Sequence, residues 1–96
     1  MLPLRWSEQA LEHMGGIAEY LSLSSPLYAE SAIQRIEARV QQLQLHPELG
    51  KPARESSDPS VRELVDAPYR VFYRARADCI EVIAVVHGRN QVPTSL

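Results

Sequence analysis

The sequence predicts an α+β domain in the order β-α-α-β-β-β, an antiparallel sheet covered on one face by an αα-hairpin. Three observations carry this. Apolar residues first alternate, then recur at steps of three and four, then alternate again. The two helical stretches are separated only by Ser24-Ser25-Pro26, too short a link for anything but antiparallel neighbours. Three later apolar runs are joined by short turns, and the helical pair is the only element able to cover their apolar face.

Leu2, Leu4 and Trp6 alternate with Pro3 and Arg5, as in a short strand. Ser7 before Glu8, Gln9 and Ala10 is a helix N-cap. Leu11, Met14, Ile17, Ala18 and Leu21 then give a helix over about residues 7–23. Gly15-Gly16 inside it costs about 1 kcal/mol per glycine relative to alanine, so a kink or a close helix crossing is expected there. Ser25 caps a second helix whose first residue is Pro26, where proline's fixed φ and missing N–H do no harm. Its stripe is Ala29, Ala32, Ile33, Ile36, Val40 and Leu43, and it should reach His46 and stop before Pro47.

Residues 47–60 hold three prolines with Gly50 and a polar cluster, and they form a loop. A short strand follows over 61–65. The next, over 69–76, puts Tyr69, Val71, Tyr73 and Ala75 on one face and Arg70, Phe72, Arg74 and Arg76 on the other. After a turn at Ala77-Asp78, residues 79–87 are nearly all apolar, as a strand buried on both faces would be. The first strand lies beside this meander at a position the sequence does not specify.

At 96 residues, 45 % apolar and 23 % charged, the chain is one ordinary globular domain over 1–96. Lone Cys79 excludes an internal disulfide, no stretch approaches a membrane span, and no secretory signal is expected at Met1-Leu2-Pro3. These point to a reducing, cytoplasmic setting without membrane contact. The net charge of −2 is uneven, with three basic against six acidic residues over 1–50 and five arginines against four acids over 62–96. Nine of the ten basic residues are arginine, which suits bidentate recognition of carboxylate or phosphate.

No metal site or cofactor is expected: His13, His46 and His87 fall on different elements, and no glycine-rich phosphate loop is present. His87 ends the most apolar strand and has two readings, a general acid/base or a strand-end histidine bonded to a loop. Arg70, Arg74 and Arg76, with Phe72 between them and Arg62 on the strand before, also have two readings. They form either a basic surface for phosphate, an RNA base or an acidic protein, or a solvated face salt-bridged to Glu63 and Glu81.

These pieces in their order resemble the RelE/ParE superfamily of toxin–antitoxin toxins, and within it the ParE branch. The resemblance rests on Ile17-Ala18-Glu19-Tyr20-Leu21, Ser25-Pro26-Leu27-Tyr28-Ala29 and Leu43 with His46-Pro47-Glu48-Leu49-Gly50-Lys51. It continues through Val61-Arg62-Glu63-Leu64-Val65, Tyr69-Arg70-Val71-Phe72-Tyr73-Arg74 and Ile80 to Arg89. It implies a growth-inhibiting toxin that poisons DNA gyrase and is neutralised by a cognate antitoxin, ParD-like or other, that folds on binding. Operator DNA would be bound only through that antitoxin.

The expected antitoxin contacts are apolar anchors at Ile33 and Ile36, with acidic residues meeting Arg62, Arg70 and Arg74 beside Phe72. The expected target contacts are Arg62, Arg70, Arg74, Arg76, His87 and Arg89. The alternative within the superfamily is a ribosome-dependent mRNA endonuclease using His87, Arg62 and Arg74. The sequence departs from that pattern, since its only lysine is Lys51 in a loop and residues 90–96 hold no Tyr or His. A third reading is a non-toxic, regulatory member.

Overall fold

Ser7 joins the first strand to the first helix and is held from both sides. Its Oγ accepts from the Ala10 N–H at 3.0 Å and donates to the Ile83 carbonyl at 2.9 Å, while its own N–H donates to Val82. In the computed structural model, which describes residues 1–88 and Leu96, strand β1 (Leu4–Trp6) therefore leads straight into helix α1 (Glu8–Ser22). Ser25 Oγ caps helix α2 (Pro26–Gln41), whose first residue is Pro26, as the sequence predicts. The α-helix ends five residues earlier than expected: a single 3₁₀ turn, Gln42–Gln44, tightens the chain and buries Leu43 before the loop.

A two-residue strand β2 (Lys51–Pro52) interrupts the predicted loop. Strands β3 (Val61–Asp66), β4 (Tyr69–Ala75) and β5 (Ile80–His87) form the antiparallel meander. Among the described residues the sheet has five strands in the order β1-β5-β4-β3-β2. Strand β1 takes the open edge of β5 in parallel, Leu4 beside Ile80 and Trp6 beside Val82, so the sheet is mixed and not wholly antiparallel. A strand followed by a complete helical hairpin has length enough to return in either direction, and alternation specifies only which face a side chain takes.

The main core lies between hairpin and sheet. Ala10, Met14, Ile36, Val40 and Leu43 pack on Leu64, Tyr69, Val71, Tyr73, Ile80, Val82 and Val85. His13 adds a polar tie, its Nδ1 accepting the Val85 N–H at 3.1 Å. On the far face a smaller cluster joins Ala53, Val61, Phe72, Ala84 and Val86. Strand β5 is buried on both faces, as predicted, but it carries a bulge. Phe72 pairs with Ala84 and Tyr73 with Val82, leaving Ile83 over. The bulge aims the Ile83 carbonyl at Ser7 Oγ and Gln9 Nε2, so the irregularity anchors the start of α1.

The glycine pair does not do what the sequence suggests. Helix α1 runs unbroken through Gly15 and Gly16, and among the described residues nothing beyond the helix's own backbone lies within 4 Å of where a Cβ would stand on either. At Gly50 the fold leaves no room for a side chain. A Cβ there would lie 2.7 Å from the Glu63 carbonyl and 2.7 Å from Tyr73 Cε1. Its N–H donates to Tyr73 Oη at 2.9 Å, and that hydroxyl donates to the Pro47 carbonyl at 2.7 Å.

Candidate functional site: the arginine face and the hairpin groove

Register decides what the arginines can do. Cross-strand partners share a face, and Arg74 stands opposite Val61 while Arg62 stands opposite Tyr73. Arg70 and Arg74 therefore lie on the far face with Phe72, and Arg62 lies on the hairpin side, where it donates to the Gly50 carbonyl. The expected cluster of four is split by the sheet. The mechanism is the period of two itself: neighbours along β3 point to opposite faces.

The remaining three guanidinium groups are neutralised within the chain. Arg70 makes a fork to the buried Glu63, with Nε to Oε1 at 2.7 Å and Nη2 to Oε2 at 3.2 Å, and also binds Glu55. These bonds, those to Glu63 foremost, raise the Arg70 pKa further above its ordinary value, so it carries its charge at every accessible pH. Its guanidinium also lies 5.0 Å from the Phe72 ring centroid. Arg74 reaches Asp58 at 2.8 Å and Glu81 at 3.2 Å, and Arg76 shares Glu81 at 3.0 Å. Asp58 is held below the usual carboxylate range by Ser60, whose hydroxyl and N–H both donate to it, and secondarily by Arg74. Glu55 is held low chiefly by its hydrogen bond from Arg70.

Three cations thus meet four carboxylates (Glu55, Asp58, Glu63 and Glu81), the arrangement of the second sequence reading. The rings are closed off as well. Phe72 is fully buried and Tyr69 is 7 % exposed, so neither presents a face for stacking a base. Ile36, expected to anchor a partner, is also fully buried.

His87 stands at the other end of the sheet. It pairs in register with Tyr69 and packs edge-on against that ring, with centroids 5.9 Å apart. Arg74 lies five positions along β4 from Tyr69, on the order of 17 Å at strand rise. His87, Arg62 and Arg74 occupy two faces and two ends, so they do not converge on one reacting group. Arg89 lies outside the described residues. Among the described residues no group of three or more His, Cys, Asp or Glu side chains is placed to hold a metal, and no helix is long and apolar enough to cross a membrane.

Open apolar surface is found on the hairpin. A groove of about 520 Å³ runs between α1 and α2, floored by Ala18, Ala29 and Ile33 and edged by Ser22 and Pro26. Of the predicted partner anchors, Ile33 alone faces it. At its end the helical turn presents Tyr20, Leu23, Leu27 and Tyr28, from 54 % to 82 % exposed. Contiguous apolar surface of this kind marks an interaction site more often than a solvated wall. Periodicity could have flagged it, because Leu23 and Leu27 fall outside both core stripes.

Likeness to known proteins decides the family. The sequence model of the ParE toxin of type II toxin–antitoxin systems matches residues 4–92. The chain belongs to the ParE toxin family. A solved structure of the chromosomal ParDE toxin–antitoxin system of P. aeruginosa superimposes with a TM-score of 0.76 at 28 % identity, covering 91 % of this chain and 96 % of that one. The RelBE2 toxin–antitoxin complex of Mycobacterium tuberculosis shares the fold with a TM-score of 0.63 at 20 % identity, covering 91 % of this chain and 93 % of that one. No curated protein sequence matches. The α+β hairpin-on-sheet architecture is that of the RelE/ParE fold, and the ParE match spans both the hairpin groove and the arginine face.

Proposed function

We propose that this ParE-family chain is a cytoplasmic toxin that arrests growth by poisoning DNA gyrase, and that a cognate antitoxin neutralises it by covering the hairpin. The observation that carries the reading is the ParE match over residues 4–92 combined with the open groove between α1 and α2. An antitoxin segment that folds on binding would bury Ile33 and the exposed residues of the helical turn, gaining apolar contact the free chain cannot make. Gyrase action fits a protein-binding mode, in which surface and not a reacting side chain does the work. The dispersal of His87, Arg62 and Arg74 weighs against the endonuclease alternative, because general acid/base catalysis needs its groups within reach of one bond.

Induced expression of the chain tests the reading, alone and with the reading frame beside it. Arrest of DNA synthesis before protein synthesis, relieved by the neighbouring product, is expected for native chain and for His87→Ala alike. Arrest of translation first, abolished by His87→Ala in a variant that still binds its antitoxin, would transfer the chain to the nuclease reading.

A further inference from the structure

The groove has a charge and a shape, and together they specify what fits it. Glu19, Glu30 and Glu37 stand exposed along its two edges. Among the described residues no arginine or lysine forms an ion pair with any of them, and Glu30 is met only by the neutral amide of Gln34. The arginine face is neutralised internally, so the uncompensated charge beside open apolar surface is negative and lies on the hairpin. The shape comes from side-chain size. Ala18 and Ser22 line the α1 wall at a step of four, and Gly15 continues that row at a step of three, exposed and, among the described residues, with no neighbour near its absent Cβ. A glycine costs an isolated helix about 1 kcal/mol against alanine, and among the described residues no contact uses the space it leaves.

We infer that the antitoxin segment seated in this groove is a basic amphipathic helix. It turns small apolar residues toward Ala18 and Ala29, sets lysine or arginine against Glu19, Glu30 and Glu37, and approaches α1 most closely at Gly15. This rests on the reading that an antitoxin covers the hairpin, and it reverses the charge that the arginine-rich strands suggest for the partner. Small residues let helix axes come close enough for extensive van der Waals contact, and flanking charge pairs fix register and speed association.

The test titrates the purified chain with the full-length product of the neighbouring reading frame. Three forms are compared: native, Glu30→Lys/Glu37→Lys and Gly15→Leu. The charge reversal should weaken binding by about tenfold or more and flatten its salt dependence. Gly15→Leu should weaken binding while raising the thermal midpoint of the free chain, a combination that damage to folding cannot produce. Native affinity in both variants, or tighter binding after charge reversal, overturns the inference while leaving antitoxin neutralisation in place. Failure of the native chain to bind overturns both. If the native chain is a dimer in light scattering and both variants are monomers, the groove is an interface between copies and the inference is wrong.

Discussion

Replacing Tyr73 by phenylalanine isolates one oxygen atom at the centre of the fold. The ring is fully buried, and phenylalanine keeps its shape, so packing should survive. What is lost is a relay: the hydroxyl accepts from the buried Gly50 N–H at 2.9 Å and donates to the half-buried Pro47 carbonyl at 2.7 Å. Each buried group left without a partner costs roughly 1–3 kcal/mol. Pro47 is the better placed of the two to find water, so the Gly50 N–H dominates and the total should be about 2 kcal/mol. For a domain of this size that lowers the thermal midpoint by roughly 8–16 °C. Urea unfolding of native and variant chain measures it, with the midpoint falling and the slope unchanged. A variant whose thermal midpoint stays within about 2 °C of native would show that the relay contributes nothing net.

Four further outcomes follow from the same geometry. Gly50→Ala should destabilise by about 1–3 kcal/mol in urea unfolding, since its Cβ meets the Glu63 carbonyl of β3 and the Tyr73 ring, neither free to move. Gly15→Ala and Gly16→Ala should each stabilise by up to about 1 kcal/mol, because the added methyl meets none of the described residues and the helix gains propensity; a loss of stability would contradict this. Glu55 and Asp58 are held below the ordinary carboxylate range. Their contribution is therefore present above about pH 4 and lost as pH falls through their lowered values, loosening the 53–60 segment. Hydrogen exchange of that segment should rise on acidification in native chain and be raised already at neutral pH in Glu55→Gln/Asp58→Asn. Burial raises the pKa of both Tyr69 and Tyr73, so stability should hold below about pH 10 and fall as pH rises through their raised values; thermal midpoints from pH 9 to 12 would show it, with a smaller fall in Tyr73→Phe.

Much of the fold could be read from the sequence because caps and periodicity are local. Ser7, Ser25 and Pro26 mark the helix starts through the hydrogen bonds and fixed φ they supply, and both positions match the structure. Pairing is not local. The parallel place of β1 beside β5 depends on where the completed hairpin returns the chain, and three alternating residues contain no record of it. The bulge at Ile83 is hidden in an unbroken apolar run, where a shift of face changes no residue's character.

The site was less legible for the same reason. Arg62 looks close to Arg70 and Arg74 until register puts it on the other face, and Phe72 looks like an exposed platform until Ala53, Val61, Ala84 and Val86 cluster with it. Charge counting found the arginines but could not see that Glu55 and Asp58, from a loop, would neutralise them. The hairpin groove had a signal in Leu23, Leu27 and the glycine pair, each apolar or small where the core does not need it.

Whether this ParE-family chain acts on gyrase through its surface is decided by gyrase supercoiling of relaxed plasmid. Purified chain, freed of co-purifying antitoxin and shown to be folded, is added to the reaction. A gyrase poison gives loss of supercoiling, linear DNA after protein denaturation, the same result with His87→Ala, and restoration on adding antitoxin. Unchanged supercoiling by the folded chain would contradict it.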